Sequence, residues 1–149
     1  MANAGTPHSS FRILVVDDFE PWRQHICSML QTRPELQVIC EAADGLEAVQ
    51  KSEELQPDLI LLDIGLPKQN GIEAATRIRQ VAPGAKIIFL TQNSDKEMVG
   101  AALSTGAQGY VLKTDAGREL FPAVAGVLGG DDFVSGGIQG DDSGETEDT

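Results

Sequence analysis

Basic residues are scarce in this chain of 149: 11 Lys and Arg stand against 23 Asp and Glu, for a formal net charge of −12. A protein that grips a phosphate backbone needs a cationic surplus to displace counterions, so direct nucleic-acid binding is not expected. Cysteine is as sparse. Cys27 and Cys40 are separated by twelve intervening residues, match no metal-ligand spacing or redox pair, and sit in apolar patterns, which points to buried thiols in a reducing compartment. Nowhere do eighteen apolar residues run together, and Met1 to Ser10 lacks the charged start and apolar run of a signal peptide. A cytoplasmic protein without a membrane partner is expected. There is no internal repeat and no Gly-rich phosphate fingerprint of the dinucleotide or Walker type.

What the chain does contain is an alternation of short β-branched runs with helical patterns, from Phe11 to Leu128, the mark of βα units on a parallel sheet. The strands read as Arg12–Val16, Gln37–Glu41, Leu59–Leu62, Lys86–Leu90 and Tyr110–Leu112, several of them apolar enough to be buried on both faces. Trp22, Ile26, Met29 and Leu30 keep helical spacing behind Pro21, which suits a first turn. A second helix follows Asp44-Gly45 with a thin stripe of Leu46 and Val49. The third faces inward through Ala74, Ala75, Ile78, Val81 and Ala82. Ser94 and Glu97 have the spacing of a capping box for the fourth, and Asp115 stands where it would cap the fifth. That fifth helix runs into Gly129-Gly130, where the fold is expected to close. Length suits one domain over residues 11–130, with a flexible arm at 1–10. Seven acids and no Lys or Arg lie beyond Leu128, so residues 131–149 read as a largely disordered acidic tail.

In an open α/β sheet the ligand site lies beyond the carboxyl ends of the strands, so the residues just after each strand carry the chemistry. Strand one ends in Asp17-Asp18, strand three in Asp63, strand four in Thr91 and strand five in Lys113. Aspartates often follow strands merely as helix caps, which is the preferred reading of Asp44 and Asp115. Three carboxylates converging from two strands, with a lysine opposite, are not explained by capping. They would raise one another's pKa unless a cation sat among them. Oxygen-only ligands with room for water suit Mg²⁺, for which Mn²⁺ could substitute. One carboxylate can then act as nucleophile in aspartyl-phosphate chemistry, with Asp63 the natural candidate.

Val15-Val16-Asp17-Asp18, Asp63-Ile64-Gly65-Leu66-Pro67 with Gly71, Thr91, and Gly109-Tyr110-Val111-Leu112-Lys113 together resemble the receiver domain of two-component response regulators, over about Arg12 to Leu128. The resemblance implies a flavodoxin-like, doubly wound five-stranded parallel sheet, (βα)5, of strand order 2-1-3-4-5. It implies Asp63 as phosphoacceptor for a sensor histidine kinase or a histidine phosphotransfer protein. Asp18, Asp63 and the carbonyl of Gly65 would hold Mg²⁺ directly and Asp17 through water. Lys113 would pair with the phosphoryl group, Thr91 would move its hydroxyl onto it, and Tyr110 would turn inward, remodelling a surface for a downstream protein or for homodimerisation on phosphorylation. Such a domain is a signalling module that assists its own phosphorylation, not an enzyme.

Each residue also has a plainer reading. Lys113 alone would be a solvated surface lysine, Thr91 a strand terminator, and Tyr110, the only tyrosine, a filler at the sheet edge. Trp22 and Phe19 read as packing of the first helix, and His8 and His25 as bystanders. Two positions depart from the family pattern: Gln92 stands where a small residue is common, and Thr114 where a proline often follows a cis peptide bond. The chain most resembles the branch in which a helix-turn-helix DNA-binding domain follows, with Asp132-Phe133-Val134-Ser135 like the start of a connector, yet it reads as a stand-alone receiver. The competing readings are a receiver-like binding module that takes no phosphate and a metal-dependent phosphatase. Against the phosphatase, its usual second acid two residues after the nucleophile is Gly65 here.

Overall fold

The structure is a computed structural model that describes residues 10–138. The elements run β1 (Phe11–Val16), α1 (Glu20–Gln31), β2 (Leu36–Ala42), α2 (Gly45–Leu55), β3 (Leu59–Leu62), α3 (Gly71–Val81), β4 (Lys86–Thr91), α4 (Lys96–Ser104), β5 (Gly109–Leu112), α5 (Ala116–Leu128) and β6 (Phe133–Val134). All strands pair in parallel in the order β2-β1-β3-β4-β5-β6. The doubly wound sheet and its order match the expectation, with one strand added.

Alternation along the strands creates two cores, because successive side chains leave opposite faces of a sheet. Leu14, Val16, Ile60, Leu62, Ile87 and Phe89 pack on one face with residues of α2, α3 and α4. Ile13, Val15, Leu59, Leu61, Ile88 and Leu90 pack on the other with α1 and α5. This double burial is why β3 reads as an unbroken Leu-Ile-Leu-Leu run, all four residues buried.

Several local expectations change. Leu46 does not line the inner face of α2: it is exposed, and Ala48, Val49 and Ser52 point inward. The cap of α4 is Asp95, whose carboxylate accepts the Glu97 N–H at 3.1 Å, in place of Ser94. A carboxylate one residue further on also complements the positive helix end, which the Ser94 hydroxyl cannot do. The capping box lies instead on α3, between Asn70 and Glu73. Asp44 caps α2 as expected, accepting the Glu47 N–H at 2.8 Å. Asp115 makes no side-chain cap, and its carboxylate turns to Arg118 and Ser135.

The chain does not leave the fold at Gly130. Gly130 takes φ +102°, a left-handed turn that favours glycine, and the chain comes back so that residues 133–135 lie along β5 before 136–138 turn helical. Phe133–Val134 forms the sixth strand, and Ser135 and Ile138 are buried. The ordered unit therefore extends past the boundary expected at residue 130. The expected arm at 1–9 and the tail from 139 lie outside the described residues. Among the described residues, no helix is long and apolar enough to cross a membrane.

Candidate functional site

The parallel strands deliver their carboxyl ends to one edge, and the residues that follow them meet there. Asp17, Asp63 and Thr91 are buried, whereas Asp18 is exposed at the mouth. Carboxylate oxygens of Asp17, Asp18 and Asp63 lie within 4.8 Å of one another. They share an open cavity of about 630 Å³ with Thr91 and Lys113. Gly65 lines it too, as do Phe19, Gln92, Asn93 and Met98.

The two buried carboxylates, Asp17 and Asp63, are each held by a backbone N–H and by Lys113. The Phe19 N–H donates to Asp17 Oδ1 at 2.9 Å, and the Ile64 N–H to Asp63 Oδ1 at 2.7 Å. The Lys113 ammonium reaches Asp17 Oδ2 at 2.7 Å and Asp63 Oδ2 at 3.2 Å. Burial pushes the Asp17 carboxyl above its usual range. The Lys113 and Phe19 bonds oppose the rise and the nearby Asp63 charge adds to it. Burial also works against the Lys113 charge, but the Asp17 hydrogen bond and the field of both carboxylates outweigh it, so the ammonium is held above its ordinary pKa.

Three carboxyl groups face a single ammonium, more acidic oxygens than Lys113 can pair. Oxygen is the only donor type in the cluster, and one ligand, Asp18, is open to water. That donor set fits a divalent hard cation such as Mg²⁺. When bound, the ion would neutralise negative oxygens gathered at this edge. Asp17, Asp18 and Asp63 are the side chains that would hold it.

The turn after Asp63 owes its shape to Gly71. Both Leu66 N–H and Gly71 N–H donate to the Ile64 carbonyl, each at 2.8 Å, which draws the start of α3 against the strand end. A Cβ on Gly71 would lie 2.0 Å from the Asp63 carbonyl oxygen, so only glycine permits this approach.

A family model for the response regulator receiver domain matches residues 13–125. The chain belongs to the response-regulator receiver family. Receivers are signalling domains of two-component systems, and they bind Mg²⁺ at an acidic pocket such as this one. The receiver is 39% identical over 119 residues to the transcriptional regulatory protein LnrK of Bacillus subtilis, covering 80% of this chain and 54% of that protein. It is 38% identical over 115 residues to the response regulator protein VraR of Staphylococcus aureus, covering 77% of this chain and 55% of that one. The chain thus spans about half the length of the curated relatives it matches. Among solved structures, a two-component response regulator of the LuxR family from Aurantimonas sp. SI85-9A1 superposes with a TM-score of 0.87 at 34% identity, over 92% of this chain and 98% of that one.

The structure brings Asp17, Asp18, Asp63, Gly65, Thr91 and Lys113 to one cavity. Tyr110 lies beside it, fully buried, its hydroxyl donating to the Asn93 carbonyl at 2.6 Å. Burial, helped by Asp63 and Asp95, pushes its phenol up to about 12. Phe19 is not packed under α1: it is 61% exposed and stands at the cavity mouth. Gln92 lines the cavity but is exposed. All described peptide bonds are trans, the one after Lys113 included.

Arg23 escaped the sequence reading. It donates to the Asp17 carbonyl at 2.7 Å and to Glu41 Oε1 at 2.8 Å, tying the ends of β1 and β2 together beneath the acidic pair. Its position one turn into α1, facing an acid on the next strand, was the available signal.

Proposed function

We propose that this receiver accepts a phosphoryl group on the Asp63 carboxylate from the phosphohistidine of a sensor histidine kinase or histidine phosphotransfer protein, in a Mg²⁺-dependent reaction. The observation that carries the reading is the setting of Asp63. It stands at the end of a strand buried on both faces, with one oxygen fixed by the Ile64 N–H and the other facing the Lys113 ammonium. A carboxylate oxygen attacks phosphorus, the P–N bond breaks, and its electron pair leaves with the imidazole. Lys113 moves from Asp63 to a phosphoryl oxygen, and the Thr91 hydroxyl donates to another. Asp18, Asp63 and the Gly65 carbonyl are the direct ligands proposed for the ion, with Asp17 acting through water.

The output in this reading is a protein-contact surface around β5, biased by the position of Tyr110. The test is incubation with acetyl phosphate and Mg²⁺ followed by intact mass measurement. The wild type gains the mass of one phosphoryl group, and Asp63→Asn does not. No adduct, under conditions that label another receiver, refutes the reading and favours a binding module. Rapid multiple turnover of a phosphoester refutes it in favour of a phosphatase.

A further inference from the structure

Without the sixth strand, β5 would present a row of unpaired N–H and C=O groups, the kind of edge to which an extended segment adds. Residues 133–135 lie along it, and 136–138 turn helical beyond its end. The Phe133 N–H donates to the Gln108 carbonyl at 3.0 Å, and the Ser135 N–H to the Tyr110 carbonyl at 2.8 Å. The Ser135 hydroxyl, fully buried, contacts Asp115 Oδ2 at 2.9 Å and also Glu119 Oε1, and it accepts the Leu112 N–H at 3.3 Å. The Gly136 N–H donates to Glu119 Oε2 at 3.0 Å. A Cβ there would lie 3.0 Å from the same oxygen, a tight contact to which the Glu119 side chain would have to yield. Ile138 is 3% exposed and joins the core cluster that holds Val99, Ala102 and Tyr110. Main-chain pairing, a hydroxyl met by two carboxylates and an apolar anchor are together the elements of a strand-addition peptide site.

We propose that the β5 edge, with Asp115, Glu119 and the pocket for Ile138, is a peptide-docking surface whose resident ligand is the chain's own segment 133–138, and that its occupancy is linked to the state of Asp63 through Tyr110. Tyr110 belongs to both sites. Its carbonyl takes the Ser135 N–H, its ring lies 6.1 Å from that of Phe89, and its hydroxyl holds the carbonyl of Asn93, which lines the Asp63 cavity. Leu112, bonded to the Ser135 hydroxyl, immediately precedes Lys113. Whatever fixes Tyr110 inward favours the docked segment, and by reciprocity the docked segment favours the inward Tyr110. The linkage rests on the phosphoacceptor reading, whereas the docking does not.

Hydrogen exchange on the full chain tests both parts. In Ile138→Ser the amides of 133–138 exchange at least about tenfold faster than in the wild type, as expected for an anchor stripped of its apolar burial, while β1 and β3 keep their protection. A synthetic peptide spanning residues 131–140, added in excess to Ile138→Ser, restores protection of the Leu112 amide. Equal exchange in both chains, or a peptide without effect, overturns the docking. With acetyl phosphate and Mg²⁺, protection of 133–138 rises about fivefold in the wild type but not in Asp63→Asn, and Ile138→Ser lowers the phosphorylated fraction at steady state. A phosphoryl adduct with unchanged exchange at 133–138 overturns the linkage and leaves the phosphoacceptor reading intact. Absence of any adduct overturns that reading and the linkage together, and the docking is then decided by the first comparison alone.

Discussion

Gly71→Ala probes the turn that aims Asp63, and its cost follows from the geometry. The new Cβ would sit 2.0 Å from the Asp63 carbonyl oxygen and 2.7 Å from Ile64 Cα, both backbone atoms that cannot rotate away. Reaching ordinary contact at 3.4 Å requires the start of α3 and the end of β3 to separate by 1.4 Å. Overpacking of this kind costs about 1–3 kcal/mol. The Gly71 N–H to Ile64 carbonyl bond is also strained, at about 1 kcal/mol, and the better helix propensity of alanine returns up to about 1 kcal/mol. The net is a destabilisation of about 2 kcal/mol, or a fall in Tm of roughly 6–10 °C for a domain of this size. Urea denaturation followed by circular dichroism measures it. Gly65→Ala is the internal control, since a Cβ there meets nothing within 4 Å, and it shifts stability by no more than about 0.5 kcal/mol. Labelling by acetyl phosphate slows in Gly71→Ala, because Asp63 moves with its carbonyl. A Gly71→Ala protein as stable as the wild type refutes the close-approach argument.

Lys113→Met leaves Asp17 and Asp63 facing each other without their cation. In Mg²⁺-free buffer it destabilises the fold by about 3 kcal/mol, and the loss shrinks when Mg²⁺ is added; a loss indifferent to Mg²⁺ in urea titrations removes the acidic cluster as a metal site. Burial, then Glu41, pushes the Cys27 thiol up to about 11 from 9.0, and burial, then Asp63 and Asp95, pushes the Tyr110 phenol up to about 12 from 10.0. Folded pKa values above the unfolded ones mean that this stability is complete below pH 9. It is lost as pH rises through 9–11 and then 10–12, at about 3 kcal/mol for each group. Urea midpoints should therefore fall above pH 9, and Cys27→Ala should flatten the first part; a midpoint unchanged up to pH 11 contradicts the assignment. Gln92→Ala, which opens the cavity mouth, is expected to speed both phosphorylation by acetyl phosphate and loss of the phosphoryl group, and unchanged rates for both rule out Gln92 as a restriction on access.

The βα alternation was legible because burial on both sheet faces writes itself as apolar runs, and β3 shows it most plainly. The acidic edge was legible for a topological reason: in a parallel sheet every strand end points the same way, so residues following β1, β3, β4 and β5 must meet. Cap choices were harder to read. Ser94 and Asp95 are adjacent candidates, and the winner depends on where the chain leaves β4. Phe19 was misplaced because hydrophobicity alone does not say which side of a loop faces solvent.

By itself the amino-acid sequence determined the parallel sheet, its two cores and the identity of the carboxylates at the strand ends, since these follow from period, spacing and composition over a few residues. The tertiary structure alone decided what those groups touch. Lys113 bridges Asp17 and, 50 residues away along the chain, Asp63. Residues 133–138 showed the same limit from the other side. Surrounded by glycine and aspartate, they carry too little local signal for a strand, and Phe133–Val134 becomes one because β5 offers an open edge, two carboxylates for the serine that follows and a pocket for Ile138. Local propensity is a sum over neighbours in sequence, whereas these contacts exist only once distant segments have been brought together.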